Sequence, residues 1–597
     1  MGDGFFCPSL HPPGLYPSPL CLSPAAPPGT LGPNRPPAVP RPALPFEPVL
    51  RRVGAVADAA GVEAYAVGGA VRDALLGRAT TDLDVVAVGP GAGVALAEAV
   101  ARDLGAKAPA VYPAFGTAAV TVPRPALARL LGGADGEPER PAAPASRFVV
   151  EFVGARRESY RADSRKPVVE DGTLDEDLAR RDFTVNALAA SLGGERFGEV
   201  VDPFGGLADL EARRLRTPLN PAETFADDPL RMFRAARFAS QLGFEVVPEA
   251  IAAMEAHADR VDILSQERVT DELSKLLASP SPSVGLGLLF RTGLLERVLP
   301  ELTRLAGVEE VGGRAHKDNF WHTVEVVDNL VHLQRAVGVG DRADGYDLWL
   351  RWAALLHDVG KYVTKRYERG TGWTFHGHED VGPREIIPDV FRRLRLPLGD
   401  PLDFVQTVVR LHHRPAALVD ADVTDSAVRR LLMDAGDDVD DLMLLVRADV
   451  TSKNARRVRR YLAGFDRVER RFAEVEERDR MRNWQPPVDG DEIKRELGLS
   501  EGVAVGMLKE WVREAVLEGE VPNEHDAAWA YVLARKDDAL RRGALFDEAV
   551  RTLSGPERAA IGAVKEALFW DSLPDTDDAA RAHVAAVKDA ALAERDA

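Results

Sequence analysis

The hydrophobic positions of this chain follow two different periods, and the change between them divides the chain. Apolar residues recur at helical spacing over residues 51–60, whereas short apolar runs at residues 64–67 and 82–88 predict strands. After about residue 190 the helical period dominates, as over residues 228–241, and no further region with several strands is indicated. The pattern predicts an α/β head on a long helical body.

Two stretches of the chain lack such a period. Residues 1–47 are dense in Pro, with Gly and Ser, so we expect a disordered leader; it has neither the charged start nor the apolar core of a signal peptide. A leader without a role, translated from an upstream start codon, is one interpretation that stays open. Residues 131–146 predict a loop between strands at 120–122 and 148–153. Alternation along the second strand places Glu151 on one face with the residues two positions away.

Length and composition indicate several folded domains. A chain of 597 residues, 45% hydrophobic and 28% charged, has enough apolar residues for more than one core. Since no apolar run reaches the roughly 18 residues that a membrane span needs, a membrane protein is excluded and a cytoplasmic location is expected. The only cysteines, Cys7 and Cys21, lie in the leader, so a metal site in the folded part must use His and carboxylates.

The net charge of −19 argues against a protein that coats nucleic acid through bulk electrostatics. A local basic groove is compatible with that charge, and the alternative for each arginine cluster is a solvated helix face. The clusters that could line such a groove are Arg156-Arg157, Arg180-Arg181 and Arg213-Arg214-Leu215-Arg216.

A glycine turn follows the first predicted strand. Gly68 and Gly69 come directly after residues 64–67, and Arg72 lies one turn into the helix that they open. Backbone N–H groups at such a helix start face whatever lies above the strand, and phosphate is their natural ligand. Arg72 would add bidentate contacts to a triphosphate.

Two carboxylates begin the next strand. Asp82 and Asp84 are two positions apart, so both side chains point to the same face. Side by side they repel each other unless a cation lies between them, and hard oxygen ligands with open positions suit Mg²⁺. Glu151, on the predicted neighbouring strand, is the candidate third carboxylate. In a two-metal arrangement, one ion lowers the pKa of an attacking 3′-hydroxyl and the other holds the triphosphate and the leaving pyrophosphate.

These features belong to a longer series of motifs. In chain order the series is Gly68-Gly69-Ala70-Val71-Arg72-Asp73 with Asp82-Leu83-Asp84, then Arg180-Arg181-Asp182-Phe183-Thr184-Val185-Asn186-Ala187, Asp202-Pro203-Phe204-Gly205-Gly206-Leu207-Ala208-Asp209-Leu210, Asp227-Asp228-Pro229-Leu230-Arg231-Met232-Phe233-Arg234-Ala235-Ala236-Arg237-Phe238, and Glu267-Arg268-Val269-Thr270-Asp271-Glu272-Leu273. The series resembles the bacterial class II family of tRNA nucleotidyltransferases (CCA-adding enzymes) and poly(A) polymerases. Five motifs in the family's order are far more specific than any one of them.

The resemblance implies an α+β head, built on a small mixed sheet with flanking helices, followed by all-α domains. It also implies roles for individual residues. It assigns catalysis to the carboxylates above and nucleotide binding to the glycine turn and its helix. The residues that it implies for contacts with the nucleotide, including triphosphate and ribose, are Gly68, Gly69, Arg72, Asp73, Arg181, Asp182 and Asn186.

The same resemblance implies that Asp228 and Arg231, one helical turn apart, both reach the edge of one base. An Arg donor beside an Asp acceptor complements the Watson–Crick edge of cytosine or adenine, whereas guanine and uracil present a carbonyl to the Asp. This pairing would select C and A without a nucleic-acid template. Arg234 and Arg237 follow on the same helix and would hold phosphate or stack; a salt-bridged surface is the alternative.

Histidines concentrate in the middle of the chain, where residues 316–413 contain eight of the 12. His322, the pair His357-Asp358, and Asp449 lie on or at the end of apolar helical stretches. An unpaired carboxylate is costly there unless it meets a cation. Two His and two Asp form a mixed nitrogen and oxygen shell suited to Mn²⁺, Fe, Zn²⁺ or Mg²⁺.

The order of these residues resembles the HD phosphohydrolase superfamily. His376, His378, His412 and His413 stand where such domains sometimes hold extra ligands or phosphate contacts. The resemblance implies hydrolysis of a phosphate ester, and a domain with a structural role only is the alternative.

The sequence therefore predicts five regions: a disordered leader (1–47), a nucleotidyltransferase head (48–190), a helical neck with the base-recognition helix (191–310), an HD domain (311–455), and a helical body and tail that bind tRNA (456–597).

The leading hypothesis is a template-independent enzyme that adds C and A from CTP and ATP to the tRNA 3′ end. It uses Mg²⁺ in the head and a divalent metal in the HD site. A poly(A) polymerase, or an enzyme that adds only C or only A, shares every motif. A catalytically dead RNA-binding head joined to an active phosphohydrolase is the alternative from another class.

Overall fold

The computed structural model describes residues 41–597 except 81, 113–115, 132–147, 162–163, 312–313, 340–344, 421–423, 453, 480, 482–483, 552–559 and 597. The predicted disorder of the leader lies, up to residue 40, outside the described residues, as does most of the predicted loop at 131–146. The end of the leader packs on the head, because Leu44 is buried and Arg41 forms an ion pair with Glu199 at 2.7 Å.

A mixed sheet forms the centre of the head. The head strands are β1 (Ala64–Val67), β2 (Leu83–Ala87), β3 (Ala110–Tyr112), β4 (Thr117–Thr121), β5 (Val149–Gly154), β6 (Arg156–Arg161), β7 (Ser164–Asp171), β8 (Ala189–Ser191) and β9 (Val200–Val201). Seven of them pair in the order β3-β4-β5-β2-β1-β8-β9, while β6 and β7 form a separate hairpin. β2 and β5 are parallel, and the other neighbours are antiparallel. The predicted mixed sheet is confirmed.

Helices flank this sheet. They are α1 (Glu47–Ala59), α2 (Gly69–Leu75), α3 (Ala92–Leu104), α4 (Arg124–Leu130) and α5 (Leu174–Ala179). Val49, Leu50, Val53 and Ala57 share one face of α1 and are all buried, which is the helical period seen in the sequence. Because both faces of the central strands are covered, β1 is buried along its whole length.

The neck is helical, with one small parallel pair of strands, β10 (Arg214–Leu215) and β11 (Glu245–Val246). Its helices are α6 (Gly206–Glu211), α7 (Pro221–Asp227), α8 (Leu230–Leu242), α9 (Pro248–Ala256), α10 (Gln266–Leu277), α11 (Pro282–Arg291), α12 (Leu294–Val298) and α13 (Pro300–Thr303). Helix α8 buries Met232, Phe233 and Ala236 and ends at Gly243, whose φ of 69° suits a residue without a Cβ. It therefore has one apolar side packed in the neck, and α10 and α11 lie against it.

The middle of the chain forms a helical domain with two short hairpins, β12 (Glu310–Val311) with β13 (Arg314–Ala315) and β14 (Arg366–Glu368) with β15 (Gly372–Thr374). Its helices are α14 (Asn319–Ala336), α15 (Tyr346–Leu356), α16 (Lys361–Thr364), α17 (His378–Val381), α18 (Ile387–Arg393), α19 (Asp400–Leu411), α20 (Arg414–Asp420), α21 (Asp425–Ala435) and α22 (Val439–Ala448). Helices α14 and α15 pack on each other, as do α15 and α19 and α14 and α22, which brings several helix ends to one place.

The remaining chain is helical. Its elements are α23 (Ala455–Asp479), α24 (Gly490–Leu497), α25 (Val503–Glu518), α26 (His525–Arg551), α27 (Ile561–Trp570) and α28 (Asp577–Asp596). Within the described ranges, no helix combines the length and apolar character needed to cross a lipid bilayer.

The structure adds strands that the sequence pattern did not predict. β8 and β9 extend the head sheet to residue 201, and four more short pairings lie in the β6–β7 hairpin, the neck and the middle domain. The neck and middle-domain strands have two or three residues each, so no alternation of period two could reveal them. The all-α prediction for the region after residue 190 is therefore corrected in detail, while helices still dominate there.

Candidate functional site

One cavity of about 1450 Å³ joins the head to the neck. It collects nearly all the residues that the sequence predicts to bind nucleotide. Its lining includes Gly68, Gly69, Arg72, Asp73, Asp82, Asp84, Arg181, Asp182, Asn186, Asp228, Arg231, Arg234 and Arg237. Glu151 does not line it.

The carboxylates lie at the sheet centre, beside the glycine turn. In the strand register Asp84 stands opposite Val67, the residue before Gly68, and on its other side it is paired with Glu151. Paired residues on neighbouring strands share a face, so the prediction that Glu151 lies beside Asp84 agrees with the register. Its role as a third catalytic carboxylate stays a prediction.

The surroundings of Asp84 disfavour its charged form. Burial raises the pKa of this carboxyl; Arg181 opposes that rise, while Glu151 and Asp82 add to it through like-charge repulsion. A divalent cation between these oxygens would remove the repulsion, since Mg²⁺ prefers carboxylate oxygens and keeps open positions for phosphate. Asp82, Asp84 and Glu151 thus fit a metal ion in their donor chemistry.

The glycine turn requires glycine at Gly68. Its φ of 67° and ψ of −127° lie where L side chains rarely go, and a Cβ would stand 2.9 Å from Nη1 of Arg181. Arg181 is held by Asp177 at 3.1 Å and keeps a buried Nε without a hydrogen-bond partner among the described residues. Arg181 is therefore the cation closest to the predicted phosphate loop.

Arg72 is anchored inside the protein. Its Nε and Nη2 donate to Asp73 at 2.9 and 2.8 Å, and its Nη1 donates to Asn186 at 2.7 Å. These hydrogen bonds use three of the five guanidinium N–H groups and fix the turn against the next motif. Arg72 also lines the cavity, and its bidentate contact with a triphosphate stays a prediction.

A buried network continues from Arg72 into the neck. Asn186 donates from Nδ2 to Asp182 at 2.9 Å, and Arg234 of α8 donates from Nε to the other Asp182 oxygen at 2.7 Å. Burial alone would raise the pKa of Asp182, but Arg234, then Asn186, outweigh burial and lower the pKa to about 2. Asp182 is therefore an anchor between head and neck.

Replacing Asp182 with Asn is expected to lower the free energy of unfolding at pH 7 by about 2 kcal/mol, from the difference between a pKa near 3.8 when unfolded and about 2 when folded. A depressed carboxyl pKa stabilises the fold above the unfolded value and loses that contribution as pH falls through the folded value. The gap between wild type and variant should therefore shrink between about pH 4 and pH 2, as followed by chemical denaturation. Asp259→Asn, at an exposed position of the neck, should show no such gap; a constant gap at all pH values would contradict the assignment.

A glutamate on helix α10 pairs with two arginines of α8. Glu272 is buried and accepts from Nε of Arg237 at 2.6 Å, and it lies 3.7 Å from Arg234. Arg237 also donates to Gln241 at 3.0 Å and stacks over Phe238 at 4.0 Å. Both arginines form ion pairs, as one interpretation expected, but with buried carboxylates and not on the surface; a role in holding phosphate stays a prediction.

Asp228 and Arg231 lie together at the start of α8, but both are engaged. Asp228 precedes the helix, accepting from Leu230 N at 3.2 Å and from Arg268 of α10 at 3.0 Å. Arg231 donates to the carbonyls of Thr224 and Arg180 at 3.2 and 2.6 Å. The helix was predicted to begin at Asp228 and begins at Leu230; Asp228 lies before it and accepts from one N–H of its first turn, that of Leu230.

A second cluster lies in the middle domain, where several helix ends meet. His322 is on the first turn of α14, His357 and Asp358 follow α15, and Asp449 follows α22. Nε2 of His322 lies 2.9 Å from Asp449 and 3.6 Å from Asp358, and Nε2 of His357 lies 3.4 Å from Asp358. The structure brings all four predicted ligands together.

Three further histidines complete a second group around the same aspartate. His378 begins α17, and His412 and His413 follow α19. Ligand atoms of Asp358, His378, His412 and His413 all lie within 4.8 Å of one another, as do those of His322, His357 and Asp358. Asp358 is common to both groups. His376, also considered from sequence, is not buried and belongs to neither group.

The histidines are oriented to offer nitrogen lone pairs. Nδ1 of His357, His378 and His412 faces a backbone carbonyl at 2.8, 2.8 and 2.5 Å. A carbonyl can only accept, so each Nδ1 carries the proton, and Nε2 points a lone pair inward when the ring is neutral. Burial, then the neighbouring His413 and His357, lower the pKa of His412 well below its usual value, which keeps that ring neutral.

Buried atoms of this cluster lack partners among the described residues. Nε2 of His357, Oδ1 of Asp358 and Nε2 of His412 make no hydrogen bond. Such atoms are costly unless something coordinates them. The sequence analysis left His378, His412 and His413 outside the main ligand set, although the resemblance to HD domains named them as positions that sometimes hold extra ligands.

The basic clusters proposed from the sequence are ion-paired, where the structure describes their contacts. Arg157 pairs with Glu170, Arg180 and Arg181 share Asp177, and Arg214 and Arg216 share Asp209. A different cluster is not paired: at the start of α23, arginines flank Tyr461 and have no acidic partner among the described residues. They are Arg456, Arg457, Arg459 and Arg460. Four arginines within five residues were the sequence signal for this surface.

Three parts of the chain match known families. Residues 64–216 match the Poly A polymerase head domain, residues 243–305 the probable RNA and SrmB-binding site of polymerase A, and residues 319–452 the HD domain. The order of these matches follows the order predicted from the motifs.

Curated relatives cover most of this architecture. The A-adding tRNA nucleotidyltransferase of Deinococcus radiodurans is 36% identical over 366 residues, which are 59% of this chain and 78% of that protein. The multifunctional CCA protein of Pseudomonas paraeruginosa is 36% identical over 342 residues, which are 56% of this chain and 71% of that protein.

Solved structures share the fold. The Bacillus stearothermophilus CCA-adding enzyme in complex with CTP superposes with a TM-score of 0.52 at 24% identity, covering 83% of this chain and 98% of that one. The apo form II of a CCA-adding enzyme gives a TM-score of 0.53 at 19% identity, covering 82% of this chain and 95% of that one. Together with the relatives, the fold and the cavity lead to one conclusion: this chain belongs to the family of tRNA nucleotidyltransferases and poly(A) polymerases and carries an HD domain.

Proposed function

We propose that this protein adds nucleotides from CTP and ATP to the 3′ end of tRNA without a nucleic-acid template. In this reaction the tRNA 3′-oxygen forms a bond to the α-phosphorus, and the bond to the leaving pyrophosphate breaks. The observation that carries the proposal is a single cavity lined by Asp82 and Asp84, by the glycine turn, and by Asp228 and Arg231. Such a transfer needs three kinds of group in one place: carboxylates, hydrogen-bond donors that bind phosphate, and side chains that read the base.

Asp82 and Asp84, with Glu151 beside them, would hold Mg²⁺. When bound, such ions activate the 3′-hydroxyl and neutralise the triphosphate and leaving pyrophosphate. The protein contributes the remaining parts. Arg181 stands beside the glycine turn to bind phosphate, and Arg72 fixes the turn by its three hydrogen bonds.

Base selection would use Asp228 and Arg231, which line the same cavity. An aspartate acceptor beside an arginine donor fits the edge of cytosine and adenine and repels the carbonyl of guanine or uracil. In this structure Asp228 is held by Arg268 and Arg231 by two carbonyls, so these contacts orient the pair. A CCA-adding enzyme differs from an A-adding, CC-adding or poly(A)-adding one in which of C and A it adds. The relatives include both A-adding and CCA proteins.

The direct experiment uses tRNA transcripts that lack 0, 1, 2 or 3 of their terminal nucleotides. Each is incubated with labelled CTP, ATP, GTP or UTP, and the 3′ ends are sequenced. Growth to a complete end with C then A supports a CCA-adding enzyme. Addition of a single A, and only to the transcript that lacks one nucleotide, supports an A-adding enzyme. Long A tracts support a poly(A) polymerase. No incorporation into any acceptor would reject the proposal.

Replacing Asp228 with Asn is expected to lower kcat/KM for ATP and CTP by about 10- to 100-fold, because the acceptor oxygen that faces the base amino group is partly replaced by a donor. The same change should raise relative use of GTP and UTP, since an amide donor can face their carbonyls. Parallel kinetics with all four nucleotides measure both effects. Equal losses for all four would mean that Asp228 does not read the base. Asp259→Asn serves as the matched carboxylate control.

For the HD domain we propose a divalent metal centre that hydrolyses phosphate esters. His322, His357, Asp358 and Asp449 would hold one ion, and the group of Asp358 with His378, His412 and His413 offers a second position. A metal bound there supplies Lewis acidity for attack of water on phosphorus. The unpartnered nitrogen and oxygen atoms in the cluster support metal binding more than a purely structural role.

The body and tail are proposed to grip tRNA, and α23 offers the clearest surface for it. The four arginines at its start stand beside Tyr461 with guanidinium groups 5.7 Å (Arg457) and 5.4 Å (Arg460) from the ring. Unpaired arginines bind RNA phosphates strongly, even on a protein of net negative charge.

A further inference from the structure

The nucleotide cavity continues beyond the base and phosphate positions toward the C-terminal end of α8. Arg231 lines it at the start of the helix, and Gln241 lines it ten residues later, about 15 Å along the helix axis. The cavity volume of about 1450 Å³ exceeds the roughly 300–1,000 Å³ of an ordinary small-molecule pocket. A bound nucleoside triphosphate therefore leaves space for another ligand.

Cations from three parts of the chain line this far end. Arg78 follows α2 in the head, Lys275 lies on α10 in the neck, and Arg335 lies on α14 of the HD domain. Arg78 donates from Nη1 to the carbonyl of Gln241 at 3.2 Å, which fixes its place at the end of α8. In a chain with net charge −19, three cations from separate elements on one cavity wall are an unusual concentration of positive charge.

These cations are only weakly engaged inside the protein. Arg335 is exposed and has no ion-pair partner among the described residues. Lys275 pairs with Asp271 at 2.6 Å, but both side chains are more than half exposed, so this pair holds Lys275 weakly. Within the described part of the chain, the side chain of Arg78 donates to a neutral carbonyl and to no carboxylate. An incoming anion could engage all three without breaking a buried interaction.

The same end contains a polar group without a partner. Ser279, two residues after α10, is 4% exposed, lines the cavity, and has a buried hydroxyl with no hydrogen-bond partner among the described residues. A buried hydroxyl without a partner is costly, and an anionic oxygen that reaches it from the cavity would satisfy it. The wall thus carries both charge and a free donor for phosphate.

We propose that Arg78, Lys275 and Arg335 form a track for the backbone phosphates of the RNA acceptor strand. The HD domain, through Arg335, thereby takes part in the transferase site. The inference rests on the proposed function and extends it to the second substrate. Arg78, Lys275 and Arg335 are all exposed, so the three cations lie where the cavity opens to solvent. This arrangement suits a strand that enters from outside better than an enclosed ion such as the leaving pyrophosphate.

The test compares Arg335→Glu with wild type in the full-length protein. For Arg335→Glu, the Kd of a tRNA transcript that lacks its terminal A, measured by fluorescence anisotropy, is expected to rise about tenfold, and the slope of log Kd against log salt should fall by about one. KM for ATP should stay within about twofold of wild type, because Arg335 lies away from the base and phosphate positions. Lys275→Gln should act in the same direction with a smaller effect. Arg102→Glu, an exposed arginine on α3 without a described ion-pair partner, is the matched control.

The outcomes separate this inference from the proposed function. If Arg335→Glu and Arg102→Glu bind the acceptor RNA equally well and wild type adds nucleotides, the phosphate track is overturned and the proposed transferase function stands. An effect confined to product inhibition by pyrophosphate also overturns it, because the cations would then serve the leaving group. If wild type adds no nucleotide but Arg335→Glu still weakens RNA binding, the track stands and the proposed transferase activity fails. Melting curves of both variants exclude a folding defect.

Discussion

Asp84→Asn is expected to abolish nucleotide addition, with a loss of at least about a thousandfold in kcat, because it removes a carboxylate that would hold the metal ions at the reacting phosphate. The amide keeps the shape of the side chain, so the cavity should stay intact. Incorporation of labelled ATP into tRNA, measured in the steady state and in single turnovers, gives the size of the loss. KM for ATP should change far less than kcat.

The same variant should not be less stable than wild type. Burial and the neighbouring Glu151 raise the pKa of Asp84, so its charged form opposes folding at neutral pH in the absence of metal. A neutral amide removes that penalty, and the metal-free melting temperature is expected to stay level or rise. Glu98→Gln, at an exposed position of α3, is the control for loss of one carboxylate. A lower melting temperature together with lost activity would point to misfolding and contradict the catalytic role.

Asp358→Asn is expected to remove metal from the HD domain and to lower its phosphohydrolase activity by more than about a hundredfold, since Asp358 belongs to both candidate ligand groups. Metal content after dialysis and phosphate release from a cyclic nucleotide phosphodiester give the two readouts. Nucleotide addition to tRNA should stay within about twofold of wild type, because the transferase carboxylates lie in another cavity.

The control for this second prediction is Asp403→Asn, an exposed carboxylate in the first turn of α19. It should retain both metal and hydrolysis. Full metal content in Asp358→Asn would show that Asp358 is not a ligand. Lost tRNA extension in the same variant would show that the two sites depend on each other.

The parts of the site that could be predicted from sequence are those set by local geometry. The two-residue spacing of Asp82 and Asp84 fixes a shared face in any strand, and the glycine turn after β1 follows from the change of period at that point. Glu151 required one further assumption, that its strand is a neighbour of the strand of Asp84 although two helices and two strands lie between them in the chain, and the register places it beside Asp84.

The parts that could not be predicted depend on tertiary pairing. Nothing in the neighbourhood of Arg72 in sequence shows that Asn186, 114 residues later, would accept from one of its N–H groups. The same holds for Glu272, whose partners lie on α8, a different helix of the neck. His378 lies 34 residues before the pair His412-His413, so the sequence could name them as extra candidates by resemblance but could not show that they meet at Asp358.

The short strands escaped prediction for a different reason. Elements of two or three residues such as β9 and β14 are too short to show a period. They form because a neighbouring strand already offers free backbone groups, as β8 offers to β9. Such pairing is decided by the fold and not by the residues that take part in it.

The hydrogen-bonded series from Asp73 through Arg72, Asn186 and Asp182 to Arg234 has a mechanical meaning. Swinging the head away from the neck would break the last bond of this series, from Arg234 to Asp182, and the bond from Arg231 to the Arg180 carbonyl, leaving polar groups unpaired at about 1–3 kcal/mol each. We therefore expect these two regions to travel as a rigid block through successive rounds of addition. Room for a lengthening RNA end must then come from sliding of the RNA itself or from regions beyond this block.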